Sequence, residues 1–331
     1  MSETTYSTRY FRRKAFISTL SIFFVLVMAL QATFIREGIL TYVSILAIIF
    51  IGILISAMAM FLTEKKYKDV EVGYLYFLKD AIFYIIFVIP IWLLLYIRIV
   101  VKGPITIVYV DLVILFFMAL TLSNPFLLII KRKSYPLTDL KMVEEVKRLS
   151  EKLGVRISDV RVIDWEKQKI PNAFQSGFRT YTIFISNYLK ENLTFEENIA
   201  VLAHEISHAA HKHLQKTFIY AESMILIIIN LFLFAQYYPT QGNLSLIFAI
   251  TGFILIYVGL IFFLPFLQRH FEKEADISAA NTVDPKWLIS ALLRLSDLGL
   301  IPKKISKFWN SSHPDISTRV KYLQELNTGE R

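Results

Sequence analysis

No cysteine occurs among the 331 residues. This excludes disulfides and thiolate metal sites, so a metal could be held only by histidine and carboxylate. Charge is scarce too: 19% of residues are charged against 55% hydrophobic, which is too apolar for an ordinary soluble domain. The composition is that of a membrane protein embedded in a lipid bilayer. The net charge of +9 does not point to nucleic acid, because Lys and Arg flank apolar runs instead of clustering with aromatics. They read as topology signals, and no nucleic-acid partner is expected. Histidine is also rare, at six in the chain, yet His204 and His208 fall four apart in a stretch, 195–238, that lacks both Gly and Pro.

The apolar runs give six candidate spans. Residues 15–35 follow a basic cluster, Arg12 to Lys14, and are long enough to cross a hydrocarbon layer of about 30 Å. A signal peptide shares these features, but its apolar run is usually shorter, and a second span at 39–62 follows almost at once, so a helical hairpin is the better reading. A third span, 81–97, contains Pro90. The fourth, 105–130, carries Asp111 near its start, where an interfacial carboxylate is more economical than a transport role. The basic clusters 12–14, 65–68 and 131–133 fall on one side of this four-span topology. By the positive-inside rule that side is the cytosol, which predicts a multi-pass protein of the cytoplasmic membrane.

From 134 to 192 the composition becomes that of a soluble domain. An amphipathic helix is predicted over 139–153, stopped by Gly154, with strands over 160–165 and 180–186 and an edge strand or loop over 171–177. Thr194 followed by Glu197 is a capping box for the next helix. On that helix His204 and His208 share a face and can converge on one ion, while Glu205, one residue on, can reach a water beside the ion. This is the pattern of a hydrolase that uses a metal and supplies its own general base. The bland alternative is an amphipathic helix whose histidines happen to be so spaced.

Two histidines cannot hold a catalytic zinc alone. Spans five and six, 218–238 and 244–267, carry the chain out and back, so Glu272 and Asp276 return to the side where His204 and His208 lie. Glu272 is the candidate third ligand, and Asp276 would accept a hydrogen bond from a ligand histidine. Glu274 is the rival, on another helical face. Glu222 and Asn230 in the fifth span could face a protein-lined cavity. If the helix from Phe195 continues unbroken into that span, it is about 65 Å long.

HEISH at 204–208, the preceding PNAFQSG, EKEAD after the hydrophobic hairpin and SSHPDISTR near the end together resemble the HtpX-like membrane metalloproteases. These share a zinc peptidase family with the type I CAAX prenyl proteases. The resemblance covers roughly residues 136–323 and implies one zinc per chain on His204, His208 and Glu272, with Glu205 as general base and acid. It implies that Asn172, Ala173 and Phe174 lie on an edge strand that pairs with extended substrate. It also implies that His313 stabilises the oxyanion and that Arg319 supports the site by pairing with Asp276. Unlike the commoner pattern of two spans before the catalytic part, four are counted here, which leaves the substrate class open.

The fold expected is mainly α: a multi-span helical membrane protein with a gluzincin-type α+β metallopeptidase domain made of a small sheet and the active-site helix. Residues 1–133 would form the N-terminal membrane region, 134–217 the cytosolic catalytic part, 218–267 a two-span hairpin, and 268–331 a helical part supplying the third ligand. The expected function is zinc-dependent endoproteolysis of misfolded or damaged membrane proteins, with the site facing the cytosol. Processing of lipidated or small membrane substrates is the alternative. A transporter or scaffold with a structural metal site is the non-enzymatic one, disfavoured because such sites normally have four protein ligands.

Overall fold

The structure is a computed structural model. It describes residues 39–68, 70–83, 105–122, 134–237, 243–297 and 314–328, with isolated positions between 9 and 17. In chain order the elements are α1 (Ile39–Lys68), α2 (Tyr74–Phe83), α3 (Ile105–Leu122), β1 (Ser134–Pro136), α4 (Leu140–Lys152), β2 (Ile157–Ile163), β3 (Ala173–Gly177), β4 (Tyr181–Ser186), α5 (Asn187–Asn192), α6 (Phe195–Ala210), α7 (His213–Tyr237), α8 (Leu244–Leu255), a π-helical turn (Ile256–Phe263), α9 (Leu264–Ala280), α10 (Pro285–Asp297) and α11 (Ile316–Thr328). The result is mostly helix with one small mixed sheet. Two compact units emerge, one made of residues 9–119 and 221–261, the other of 1–8, 120–220 and 262–331.

In the first unit, two carboxylates, Glu64 and Asp111, have side-chain partners. Glu64, only 6% exposed, accepts from the Tyr10 hydroxyl at 2.6 Å and from Lys14 at 3.0 Å. The Asn230 amide donates to Asp111 at 2.8 Å, so the carboxylate in the fourth apolar run meets a protein partner, as burial away from water demands. Among the described residues two helices are long and apolar enough to cross a membrane, His213–Ala235 and Leu246–Ala280. They correspond to the fifth and sixth expected spans. Most of the expected spans at 15–35 and 81–97 lies outside the described residues, and α1 and α3, which fall on the expected spans 39–62 and 105–130, are not among those two helices.

In the second unit the sheet has the order β1-β2-β4-β3. β2 and β4 are parallel, and β1 and β3 flank them antiparallel. β4 is buried along its whole length, as a central strand covered on both faces must be, and its run of Ile183, Phe184 and Ile185 provides the apolar surface. One face packs with α4, α6, α9, α10 and α11 into a core that includes Leu149, Ile183, Ile199, Leu202, Ile206, Leu288 and Leu323. The other holds Trp165, Phe174 and Phe184, with the last two rings stacked at 4.9 Å. Relative to the sequence reading, β2 begins three residues earlier and β1 and α5 are additional. Both additions are too short to carry a periodic signal.

The helix from Phe195 does not run unbroken into the fifth span. α6 is capped at His211, and Lys212 adopts φ +56° before α7 begins at His213. The Lys212 N–H donates to the carbonyl of Ala209 at 3.1 Å. A left-handed residue after a helix is normally Gly, because a Cβ there costs about 1–2 kcal/mol. With Lys in that place the break left no trace in the sequence. Upstream of α9, the wide π turn is explained by Pro265, which has no N–H for the carbonyl of Ile261 and crowds it. Lys212→Gly should stabilise the fold by about 1 kcal/mol through relief of the left-handed strain, measurable as a rise in denaturant midpoint at unchanged slope.

Candidate active site

The capping box at the start of α6 is formed as read. The Thr194 hydroxyl accepts from the Glu197 N–H at 3.3 Å, and the Glu197 carboxylate accepts from the Thr194 N–H at 2.9 Å. The two N–H groups of the Asn198 side-chain amide are shared among the carbonyls of Lys190, Leu193 and Thr194, which ties α5 to α6. These bonds fix where α6 starts and therefore which face carries its histidines. Ala200, Ala203, Ala275 and Ala279 are fully buried, and such small side chains let α6 and α9 cross closely.

At that crossing the three expected ligands meet. The ligand atoms of His204, His208 and Glu272 all lie within 4.8 Å of one another. The two Nε2 atoms are 3.0 Å apart, and the Glu272 carboxylate oxygens lie 3.6 Å from His204 Nε2 and 3.4 Å from His208 Nε2. Tetrahedral zinc bound by N and O at about 2.0–2.2 Å requires ligand-to-ligand separations of roughly 3.3 Å. The donor set fits. Burial opposes a charged His204, but the Asp276 and Glu272 carboxylates outweigh it and raise its pKa to about 10, so the pocket's own field favours a cation. Glu205 is half-buried beside them on α6, about 100° round the helix from His204.

Asp276 is fully buried and is the most heavily bonded carboxylate of the site. It lies 2.9 Å from His204 Nδ1, accepts from Arg319 Nε and Nη2 at 2.7 and 2.6 Å, and accepts from the Tyr322 hydroxyl. Nδ1 of His204 faces this carboxylate, so a proton carried there leaves the Nε2 lone pair for the ion site. Burial pushes the Asp276 carboxyl up, but Arg319 and His204 more than offset this and hold it well below the usual carboxylate range. The proposed Asp276–Arg319 pair is thus present in the geometry, and Arg319 Nη1 also approaches Glu272 at 3.6 Å. Tyr322 escaped the sequence reading, although its place three residues after Arg319 on one helix face was a usable signal. α11 starts at Ile316, two residues beyond Pro314, and His313 lies outside the described residues.

The edge strand divides its residues. The Asn172 carbonyl accepts from the Ser186 N–H at 2.8 Å, and the Asn172 N–H donates to the Ser186 hydroxyl at 3.1 Å. Antiparallel pairs alternate in bonding, so with Ala173 opposite Ile185 and Phe174 opposite Phe184, Phe174 also spends its amide and carbonyl on β4. Ala173 and Gln175 turn theirs to the free edge. Of the three expected substrate-pairing residues only Ala173 therefore offers backbone groups outward, and Gln175 joins it. The Phe174 ring anchors the strand. At the far end Gly177 adopts φ +135°, where a Cβ would stand 2.1 Å from the Thr180 carbonyl oxygen, and buried Gln215 of α7 donates to the Gly177 carbonyl at 3.1 Å.

A second cluster was not anticipated. Glu274, considered as a rival ligand, instead meets His211 Nδ1 and His213 Nε2, each at 3.0 Å. His213 Nδ1 lies 2.9 Å from His208 Nδ1.

A site with two convergent histidines, a carboxylate and a flanking glutamate on a buried helix is that of a metal-assisted hydrolase. The sequence profile of Peptidase family M48 matches residues 136–327, more than half of the chain, and the chain belongs to that family. It is 27% identical over 57% of its length to a protein named Protease HtpX homolog from Janthinobacterium sp. (strain Marseille), covering 72% of it. It is 24% identical over 71% of its length to CAAX prenyl protease 1 of Saccharomyces cerevisiae, covering 59% of that protein. The crystal structure of S. mikatae Ste24p superposes with a TM-score of 0.71 at 20% identity, over 97% of this chain and 89% of that one, which shows a shared fold.

Removing Arg319 would leave Asp276 buried with its main cationic partner gone. Arg319→Ala is expected to cost about 3–5 kcal/mol, read as a loss in unfolding free energy of the purified chain.

Proposed function

We propose that this chain is a zinc-dependent endopeptidase of the cytoplasmic membrane, facing the cytosol and cleaving misfolded or damaged membrane proteins. The observation that carries the reading is the convergence of His204, His208 and Glu272 at tetrahedral ligand spacing with Glu205 alongside. The two long apolar helices support the membrane setting, and the HtpX-named relatives support proteolysis.

His204, His208 and Glu272 would hold one zinc ion. Bound there, zinc supplies Lewis acidity, lowering the pKa of a water and polarising a peptide carbonyl. The chain's own residues do the rest. Glu205 takes the proton from the attacking water and delivers it to the leaving amine. Asp276 and Arg319 keep His204 in the ligating tautomer and orientation. The outward amides and carbonyls of Ala173 and Gln175 receive extended substrate by strand addition, which recognises main chain and is tolerant of sequence. His313 is assigned to the developing oxyanion.

A second reading has its own support. Likeness in fold to Ste24p over 97% of the chain, with identity to a CAAX prenyl protease, favours processing of lipidated or small membrane substrates. A transporter or scaffold with a structural ion would need a fourth protein ligand.

Purified wild type and Glu205→Gln, each with measured zinc content, should be incubated with an unfolded unlipidated membrane protein and with a prenylated peptide. We expect one zinc per chain in both, cleavage of the first substrate by wild type only, and a loss of at least about 100-fold in Glu205→Gln. Cleavage of the prenylated peptide alone selects the processing reading, and zinc binding without cleavage of either defeats the protease reading. Gln175→Pro deletes an outward amide without touching the β3–β4 ladder, so KM for an unfolded substrate should rise several-fold at unchanged thermal stability.

A further inference from the structure

The cluster His211, His213 and Glu274 has the composition of a second metal site, with ligand atoms within 4.8 Å of one another. Its hydrogen-bond order argues for another role. His213 Nδ1 and His208 Nδ1 are 2.9 Å apart, so one proton lies between them. When His208 turns Nε2 to an ion, its neutral ring must carry the proton on Nδ1 and donate it. His213 then accepts at Nδ1 and carries its own proton on Nε2, which faces Glu274 Oε2 at 3.0 Å. A protonated Nε2 cannot ligate. Occupation of the first site therefore disqualifies His213 as a ligand in the second, and leaves Glu274 as acceptor for His213, with His211 Nδ1 3.0 Å from its other oxygen.

We infer that His213 and Glu274 are positioning residues for zinc: a chain from His208 through His213 to Glu274 fixes the ligating tautomer of His208, as Asp276 does directly for His204. This rests on the proposed zinc site and extends it. The ring of His213, 3% exposed, is held in place by a stack on Phe271 at 4.4 Å, and Glu274 sits two residues from Glu272 on α9. One helix thus supplies a ligand, Glu272, and the terminal acceptors for both ligand histidines, Asp276 and Glu274.

The test is zinc affinity of the full-length chain in detergent, by competition with a calibrated chelator, with the cobalt-substituted absorption spectrum as a second readout. Wild type should bind one equivalent. His213→Phe keeps the stack but not the acceptor, and should bind 10–100-fold more weakly with altered cobalt bands. His213→Asn, whose side-chain oxygen can stand near the Nδ1 position, should recover most of the affinity, which a purely structural role would not predict. Glu274→Leu, on a partly exposed side chain, should weaken binding several-fold and decides the matter if His213→Phe does not fold. Unchanged affinity in His213→Phe or, failing its folding, in Glu274→Leu overturns the inference while leaving the protease reading intact. So does a second zinc equivalent in wild type that Glu274→Leu abolishes. Wild type that binds no zinc sinks both readings.

Discussion

The arrangement depends above all on one buried carboxylate. Asp276 has no exposed surface, and an ionised group so placed is tolerable only when fully paired. Its partners come from two other helices: His204 from α6, and Arg319 with Tyr322 from α11. If α6 slid by one turn, about 5.4 Å, His204 would leave and the carboxylate would lose a donor. If α11 were displaced, the carboxylate would keep its charge and lose its cation. The register among the three helices is therefore enforced electrostatically, and the buried alanines of the packed helices α6 and α9 leave room for a close approach. The side chain that aims a candidate ligand is thus the one that locks the fold, so the site and the core cannot be varied independently.

The two candidate ligand histidines are held differently. His204 is buried and ends directly on a carboxylate, whereas His208 is half-buried and reaches Glu274 only through another imidazole. His208 and Glu205, three apart, lie on the more exposed side of α6. β3 packs on α6, and its pairing parity sends Ala173 and Gln175 outward. Under the proposed function, an added strand at that edge would lie beside α6 without disturbing β4, which is fully committed to its neighbours.

What the sequence could reveal depended on how local each interaction is. The spacing of His204 and His208, that of Glu272 and Asp276, and the Thr194–Glu197 box are helix-periodic relations within a few residues, and all three appear in the structure as read. The prior placement of Glu272 near the histidines needed only the argument that a membrane hairpin returns to its starting side. His213 and Tyr322 matter through contacts made across the fold, so their own surroundings in the chain say little. The break at Lys212 was hidden because the left-handed position is filled by a residue that does not advertise it. Asn172 and Phe174 were grouped with Ala173 because a motif names consecutive residues, while a strand alternates, and only the pairing with Ser186 fixes which amides face out.

The position of α9 bears on the kind of substrate the proposed enzyme can reach. Its apolar start at Leu264 and Pro265 continues the long hydrophobic run, and Glu272 follows seven residues after Pro265, an axial rise of about 10 Å. The bilayer is about 30 Å thick in its hydrocarbon core, and headgroups extend it by several ångströms on each side. If the apolar run ends at the hydrocarbon boundary, the ion site lies at or just beyond the headgroup layer. At that height a membrane protein that has lost its packing presents loose juxtamembrane segments without having to leave the bilayer. Proximity would then favour segments held near the surface over chains that arrive from solution, and the sequence tolerance of strand addition would impose little further discrimination.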